Sequence, residues 1–244
     1  DEARDRKMLI STWECLPDIA VADPDLTRDV PTRAAVAAGI DAFTHALEAY
    51  VSRRAQPLTD GLALNAIRRI VPALPRVITD PTDGAARAAM STGALEAGIA
   101  FANASVALVH GMARPLGARF GVAHGMANAV LLPAVCEWSW PGAPARYRDI
   151  GVAMGAVTPA ADASEAGARA TVVAIAHLCG SVGVPPMSRL GIPIDAYAAA
   201  IPAMAVDALA SGSPANNPRL PDASDVEALY RDAYTPAISS LTPR

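Results

Sequence analysis

Two of the four histidines in this 244-residue chain share one stretch, VHGMARPLGARFGVAHGMANAVLLP (109–133), which places a glycine directly after His110 and another after His124. A third, His45, stands four residues after Asp41 in GIDAFTHALEAY (39–50). On a helix that i,i+4 spacing projects the carboxylate and the imidazole from one face, where both can grip a single ion. One aspartate and three histidines form a nitrogen and oxygen donor set suited to a first-row divalent ion such as Fe²⁺ or Zn²⁺, and poorly suited to Ca²⁺ or Mg²⁺.

For these residues to meet, the chain must fold back between His110 and His124. Fourteen residues of unbroken helix would hold the two rings roughly 21 Å apart. Pro115, Gly117 and Gly121 lie between them, so one helix is expected to end near His110, the chain to return through GARFGVAH (117–124), and a second helix to begin near His124. The helix carrying Asp41 and His45 is expected over 32–53. The next spans 60–78, with Leu62, Leu64, Ile67, Ile70 and Val71 as its apolar stripe and Arg68 and Arg69 on the wet side. Thr82 or Asp83 caps a long, nearly uncharged helix running through Ala113, and small residues on all its sides mark it as a central one. Further helices are expected at 126–138, 143–154, 163–179, 194–206 and 224–233, with loops at 184–186 and 211–218. Only the start differs: 7–12 (KMLIST) and 19–22 (IAVA) read as short strands that lack a sheet of their own.

Composition agrees with a mainly α chain. It is 52% hydrophobic but only 5% aromatic, which favours closely packed helices over a β-sandwich. A net charge of −4 without a basic run gives no electrostatic footprint for nucleic acid, and no stretch of about 20 residues is free of charges and breakers, so no membrane partner is expected. Cys15, Cys136 and Cys179, odd in number and widely spaced, suit a reducing, cytoplasmic compartment. Cys136 and Cys179 read as small core residues, Glu48 as a helix-surface carboxylate or one that orients a ligand, and His177 as a partly buried structural histidine.

GIDAFTHALEAYVSRRAQPLTD (39–60) and FANASVALVHGMARPLGARFGVAHGMANAVLLP (101–133), with the NNPR at 216–219, resemble the iron-containing (group III) alcohol dehydrogenase family. The resemblance implies a helical bundle domain of the dehydroquinate synthase-like fold over 23–244. It makes 1–22 the end of a preceding dinucleotide-binding domain, which is absent from this sequence and is therefore an expected partner. It implies a divalent metal, iron or zinc, held by Asp41, His45, His110 and His124, and NAD(P) in the intact enzyme, with interconversion of a small alcohol and its aldehyde or ketone. A homo-oligomer is compatible with it. Phe101 matches an aromatic that lies near the nicotinamide. Ideal helix geometry instead puts Val106 and Asn103 on the face of His110, so Phe101 and Val106 are both carried as cofactor contacts. Arg114 stands where the family has a histidine beside the substrate, and arginine cannot relay a proton. As a candidate catalytic-site residue it either attracts an anion or caps the helix carbonyls. The alternatives are a catalytically silent helical fragment with an empty site, and a glycerol or propanediol dehydrogenase of the same superfamily.

Overall fold

The computed structural model describes residues 12–15, 17–159 and 164–234. Among these, nine α-helices and several 3₁₀ turns carry the fold, and no strand occurs. The helices are α1 (Thr32–Val51), α2 (Pro57–Thr79), α3 (Gly84–Ala104), α4 (Leu108–Phe120), α5 (His124–Ser139), α6 (Pro144–Ala153), α7 (Ser164–Ser181), α8 (Ile194–Ala210) and α9 (Ala223–Tyr234). The expected mainly α class is what the structure shows. The expected strand at 19–22 is not: those residues are irregular, and Ile19 and Val21 are more than four-fifths exposed. Without a neighbouring strand to accept its hydrogen bonds, a four-residue segment has no reason to stay extended. Most of 7–12 lies outside the described residues.

Helices α1, α2 and α3 pack on one another, while α5 touches α1, α4, α7 and α9 and forms the axis of the core. Its burial follows from HGMANAVLLPAVCEWS, whose charge is confined to Glu137. The sequence assigns the central role to the long helix after Asp83 instead. Asp83 does cap that helix, accepting from the Ala86 amide. The helix stops at Ala104, however, and leaves Leu95 and Ile99 over two-fifths exposed. Between α3 and α4 the axis bends by 102°.

That bend is the main departure from expectation. Ser105 sits at φ 67°, ψ 164°, a region that non-glycine residues enter at a cost of about 1–3 kcal/mol. Contacts from elsewhere hold it: Ser52 Oγ donates to the Ala104 carbonyl, and Asn216 Nδ2 donates to Ser105 Oγ and to the Val106 carbonyl. The helix carrying His110 therefore begins at Leu108 and runs through Pro115 and Gly117 to Phe120. A proline within it removes a single backbone hydrogen bond, which the packed helix tolerates. The return is the short 121–123 segment, opened by Gly121 in the left-handed region at φ 65°, where glycine carries no Cβ penalty.

At the other end of α3, Arg87 is 5% exposed and fastens the 3₁₀ turn Pro24–Thr27 to the bundle. Its guanidinium donates to the Thr27 carbonyl and hydroxyl and to the Pro81 and Arg28 carbonyls. No single helix among the described residues is long and apolar enough to cross a membrane.

Candidate metal centre

Both site histidines of the 109–133 stretch stand in the first turn of a helix, His110 as the third residue of α4 and His124 as the first of α5. Their rings lie 5.3 Å apart by centroid. Helix α1 passes beside them and supplies Asp41. The close approach of α1 to the start of α5 requires Gly125, because a Cβ there would lie 2.4 Å from the Ala37 carbonyl oxygen. The glycine after His124 is thus a spacing device.

Asp41 Oδ1 is 3.4 Å from His110 Nε2 and 3.9 Å from His124 Nε2. One donor atom each from Asp41, His110 and His124 falls within 4.8 Å of the others. Ligands at about 2.1 Å around a tetrahedral ion are separated by roughly 3.4 Å, so a movement of about an ångström closes the set. His45 stands beside this triad: its ring is stacked between Phe101, at 4.2 Å, and His110, at 4.5 Å. Of the four expected ligands, three converge and the fourth lies one ring away.

The chemistry of the donors turns on Glu48, two helical turns after Asp41 on α1 and 1% exposed. Its carboxylate accepts from the amides of Ala107 (2.9 Å) and Val109 (2.6 Å), with the His110 amide at 3.4 Å. It also meets His110 Nδ1 at 2.7 Å. A carboxylate engaged by amide donors is an acceptor, so the shared proton belongs to Nδ1, and Nε2 is left as the lone-pair nitrogen. Among the described residues that Nε2 is buried with no hydrogen-bond partner, and it faces the Asp41 carboxylate. Two acceptors 3.4 Å apart in a buried place call for a proton or a cation between them.

Electrostatics point the same way. Burial opposes ionisation of Asp41, but its contact with His110 and the surrounding histidines outweigh it and bring the carboxyl down to about 2. Burial and the neighbouring His110 lower His45 to about 4, which leaves its imidazole neutral and its lone pair available. Burial lowers His110 as well, yet Asp41 and Glu48 together raise it above the ordinary histidine value. Asn128, four residues after His124 and fully buried, donates to Asp41 Oδ1 at 2.5 Å and lies 3.3 Å from His124 Nε2. Asn128 is not among the expected site residues, although its i+4 spacing from His124 mirrors that of Asp41 and His45.

The remaining expectations separate. Phe101 reaches the site through His45, which the helical-wheel argument missed because it assumed an unbroken helix through 105–107. Asn103, expected on the face of His110, is exposed and bonds back to the Ile99 carbonyl. Val106 is 6% exposed, so little of it is open to a cofactor. Arg114 donates to Ser213 Oγ at 2.8 Å; with the helix continuing past it to Phe120, it is no C-terminal cap. His177 is exposed and away from the site. Cys136 and Cys179 are buried, as expected, and all three cysteines are unpaired.

A family model for the C-terminal part of the Fe-containing alcohol dehydrogenases matches residues 35–234. The chain belongs to the iron-containing alcohol dehydrogenase family. The 1,3-propanediol dehydrogenase of Citrobacter freundii is 37% identical over 229 residues, covering 93% of this chain and 58% of that protein. The lactaldehyde reductase of Escherichia coli (strain K12) is 37% identical over 234 residues, covering 96% and 60%. A crystal structure of 1,3-propanediol oxidoreductase matches with a TM-score of 0.86 at 35% identity, over 91% of this chain and 57% of the other. The chain therefore spans about three-fifths of the length of the dehydrogenases it matches. Membership of an iron-containing family fits the lone Nε2 and the Asp41 carboxylate facing each other across a gap.

Proposed function

We propose that these 244 residues form the metal-holding half of an NAD(P)-dependent alcohol dehydrogenase that interconverts a small alcohol and its aldehyde or ketone. The observation that carries this reading is the buried, unpartnered His110 Nε2 opposite Asp41, with Nδ1 fixed by Glu48. Asp41, His110 and His124 would hold the ion, with His45 joining by a turn of its ring. A bound Fe²⁺ or Zn²⁺ would supply Lewis-acid polarisation of the substrate oxygen.

The residues of this chain prepare the place for that chemistry. Glu48 sets the His110 tautomer and holds the ring still. Asn128 donates to Asp41 and steadies its carboxylate. Phe101 is half-buried and stacks on His45 beside the donor triad, whereas Val106 is buried, so Phe101 is the better supported cofactor contact and Val106 the weaker. His124 keeps two-fifths of its side chain exposed, which leaves a way in for substrate.

The nucleotide-binding partner surface, NAD(P) itself and the cytoplasmic setting belong to this proposal. No glycine-rich phosphate loop in strand–turn–helix context occurs in the sequence, so the 244 residues alone are expected to bind metal without turning over alcohol. The propanediol dehydrogenase and lactaldehyde reductase relatives favour short diols and hydroxyaldehydes as the first substrates to try.

Metal binding is the direct test. Competition with a chromogenic chelator should show one Fe²⁺ or Zn²⁺ per chain, abolished by Asp41→Asn and by His110→Gln. Fusion to the dinucleotide-binding part of the Citrobacter freundii relative should then give metal-dependent oxidation of 1,3-propanediol or 1,2-propanediol. A chain that takes up no metal at this site would instead be the catalytically silent helical fragment.

A further inference from the structure

Among the described residues no carboxylate forms an ion pair with Arg114. It lies one turn after His110 on α4, so its Cβ shares that face at roughly 6 Å, and long helical side chains lean back toward the preceding turn. The side chain is half-buried, and that burial weighs against its charge, with Glu48 the one carboxylate acting on it in return. Glu48 is already engaged by amide N–H groups and by His110 Nδ1. Among the described residues the guanidinium makes one hydrogen bond, from a terminal nitrogen to Ser213 Oγ. A guanidinium has five N–H donors in a planar fork, so four remain. That fork matches a carboxylate in a bidentate geometry that no neutral alcohol can reproduce.

We propose that Arg114 is the specificity-determining residue for an anionic substrate: a short hydroxy acid or aldehyde acid whose carboxylate pairs with the guanidinium while its hydroxyl or carbonyl oxygen reaches the metal centre. This inference rests on the dehydrogenase reading above. Ser213 Oγ fixes one terminal nitrogen of the guanidinium and leaves its other donors for the ligand.

The test uses the Zn²⁺-loaded chain and two probes of matched length, 3-hydroxypropanoate and 1,3-propanediol, with binding measured by calorimetry. A charge-assisted bidentate pair predicts about tenfold or stronger preference for the anion. Arg114→Met should erase that preference, with Arg114→Gln as the alternative should the methionine variant misfold. Arg114→Lys should retain part of it, and Ser213→Ala most of it. Pyrophosphate, as a stand-in for cofactor phosphates, should bind no more tightly to the wild type than to Arg114→Met. Equal binding of the two probes, a preference that survives Arg114→Met, or an Arg114 dependence seen with pyrophosphate but not with 3-hydroxypropanoate would each overturn the inference and leave the metal site standing. A chain that binds no zinc would overturn both.

Discussion

Replacing Glu48 by glutamine tests whether one buried carboxylate holds the whole site. In the native chain Oε2 accepts from the Ala107 amide and meets His110 Nδ1, while Oε1 accepts from the Val109 amide. Glutamine offers one oxygen and one NH₂ in their place. Whichever way the amide turns, at least one buried N–H loses its acceptor and faces another donor, at about 1–3 kcal/mol. Loss of the negative charge at the N-terminus of α4 adds about 1 kcal/mol. We therefore expect the metal-free Glu48→Gln chain to be destabilised by about 2–4 kcal/mol in urea unfolding. If the NH₂ faces His110, the ring must shift its proton to Nε2 and turn a donor toward the ion, so metal affinity should also fall by about 10–100-fold. Chelator competition on the folded variant measures this second effect independently of stability. A variant within about 0.5 kcal/mol of wild type and unchanged in metal affinity would refute the role assigned to Glu48.

Gly125→Ala should cost about 1–3 kcal/mol and weaken metal binding, since the new Cβ would sit 2.4 Å from the Ala37 oxygen and separate α5 from Asp41; urea unfolding and chelator competition read the two effects. Ser105→Gly should relieve backbone strain at φ 67° and stabilise the chain by about 1 kcal/mol, less what the lost Asn216 hydrogen bond contributes, measurable as a shift in the urea midpoint. Zn²⁺ at 100 times its Kd should add about 2.7 kcal/mol of stability, visible as a rise in Tm that a chelator reverses and Asp41→Asn abolishes, with Ca²⁺ and Mg²⁺ giving none. Because His45 is lowered from 6.5 to about 4 in the fold, the unfolded chain binds more protons between those values. Its contribution to the metal-free chain is therefore present above pH 6.5 and lost as pH falls to 4. His110 is shifted upward and contributes in the opposite sense, its share present at low pH and lost as pH rises through its folded value. His45→Gln should consequently remove only the acid-side loss, as read from urea unfolding at pH 7.5 and 4.5.

What the sequence makes legible here is whatever is encoded within one helical turn or one apolar stripe. Asp41 and His45 declare a shared face by spacing alone, the stripe of α2 falls where its period puts it, and Asp83 caps α3 through its own side chain. The break at 105–107 has no such local sign. FANASVALVHG contains no proline, and its one glycine comes after the break. The residues that open it come from α1, the α1–α2 turn and the 211–218 loop: Glu48, Ser52 and Asn216. Conversely, Pro115 and Gly117 look like breakers but lie inside α4, held by packing on both sides. Propensity lost to tertiary contacts in both places, hydrogen bonds at the break and packing inside α4, and with it went the wheel geometry that put Val106 on the face of His110.

The two errors share a cause, and it explains why α1 supplies both acidic residues of the site. Starting α4 at Leu108 puts His110 in a first turn, as His124 is in α5. A helix N-terminus carries partial positive charge and repels a cation, so two of them aimed at one point make a poor metal site unless carboxylates offset them. Asp41 and Glu48, seven residues apart, lie on nearly one line of α1, and each faces one of these ends. Glu48 takes up the free amides of α4, and Asp41 faces both imidazoles. The break in the α3–α4 region is then the condition for the site, because an unbroken helix would have no free amides for Glu48 to bind and would carry His110 away from His124.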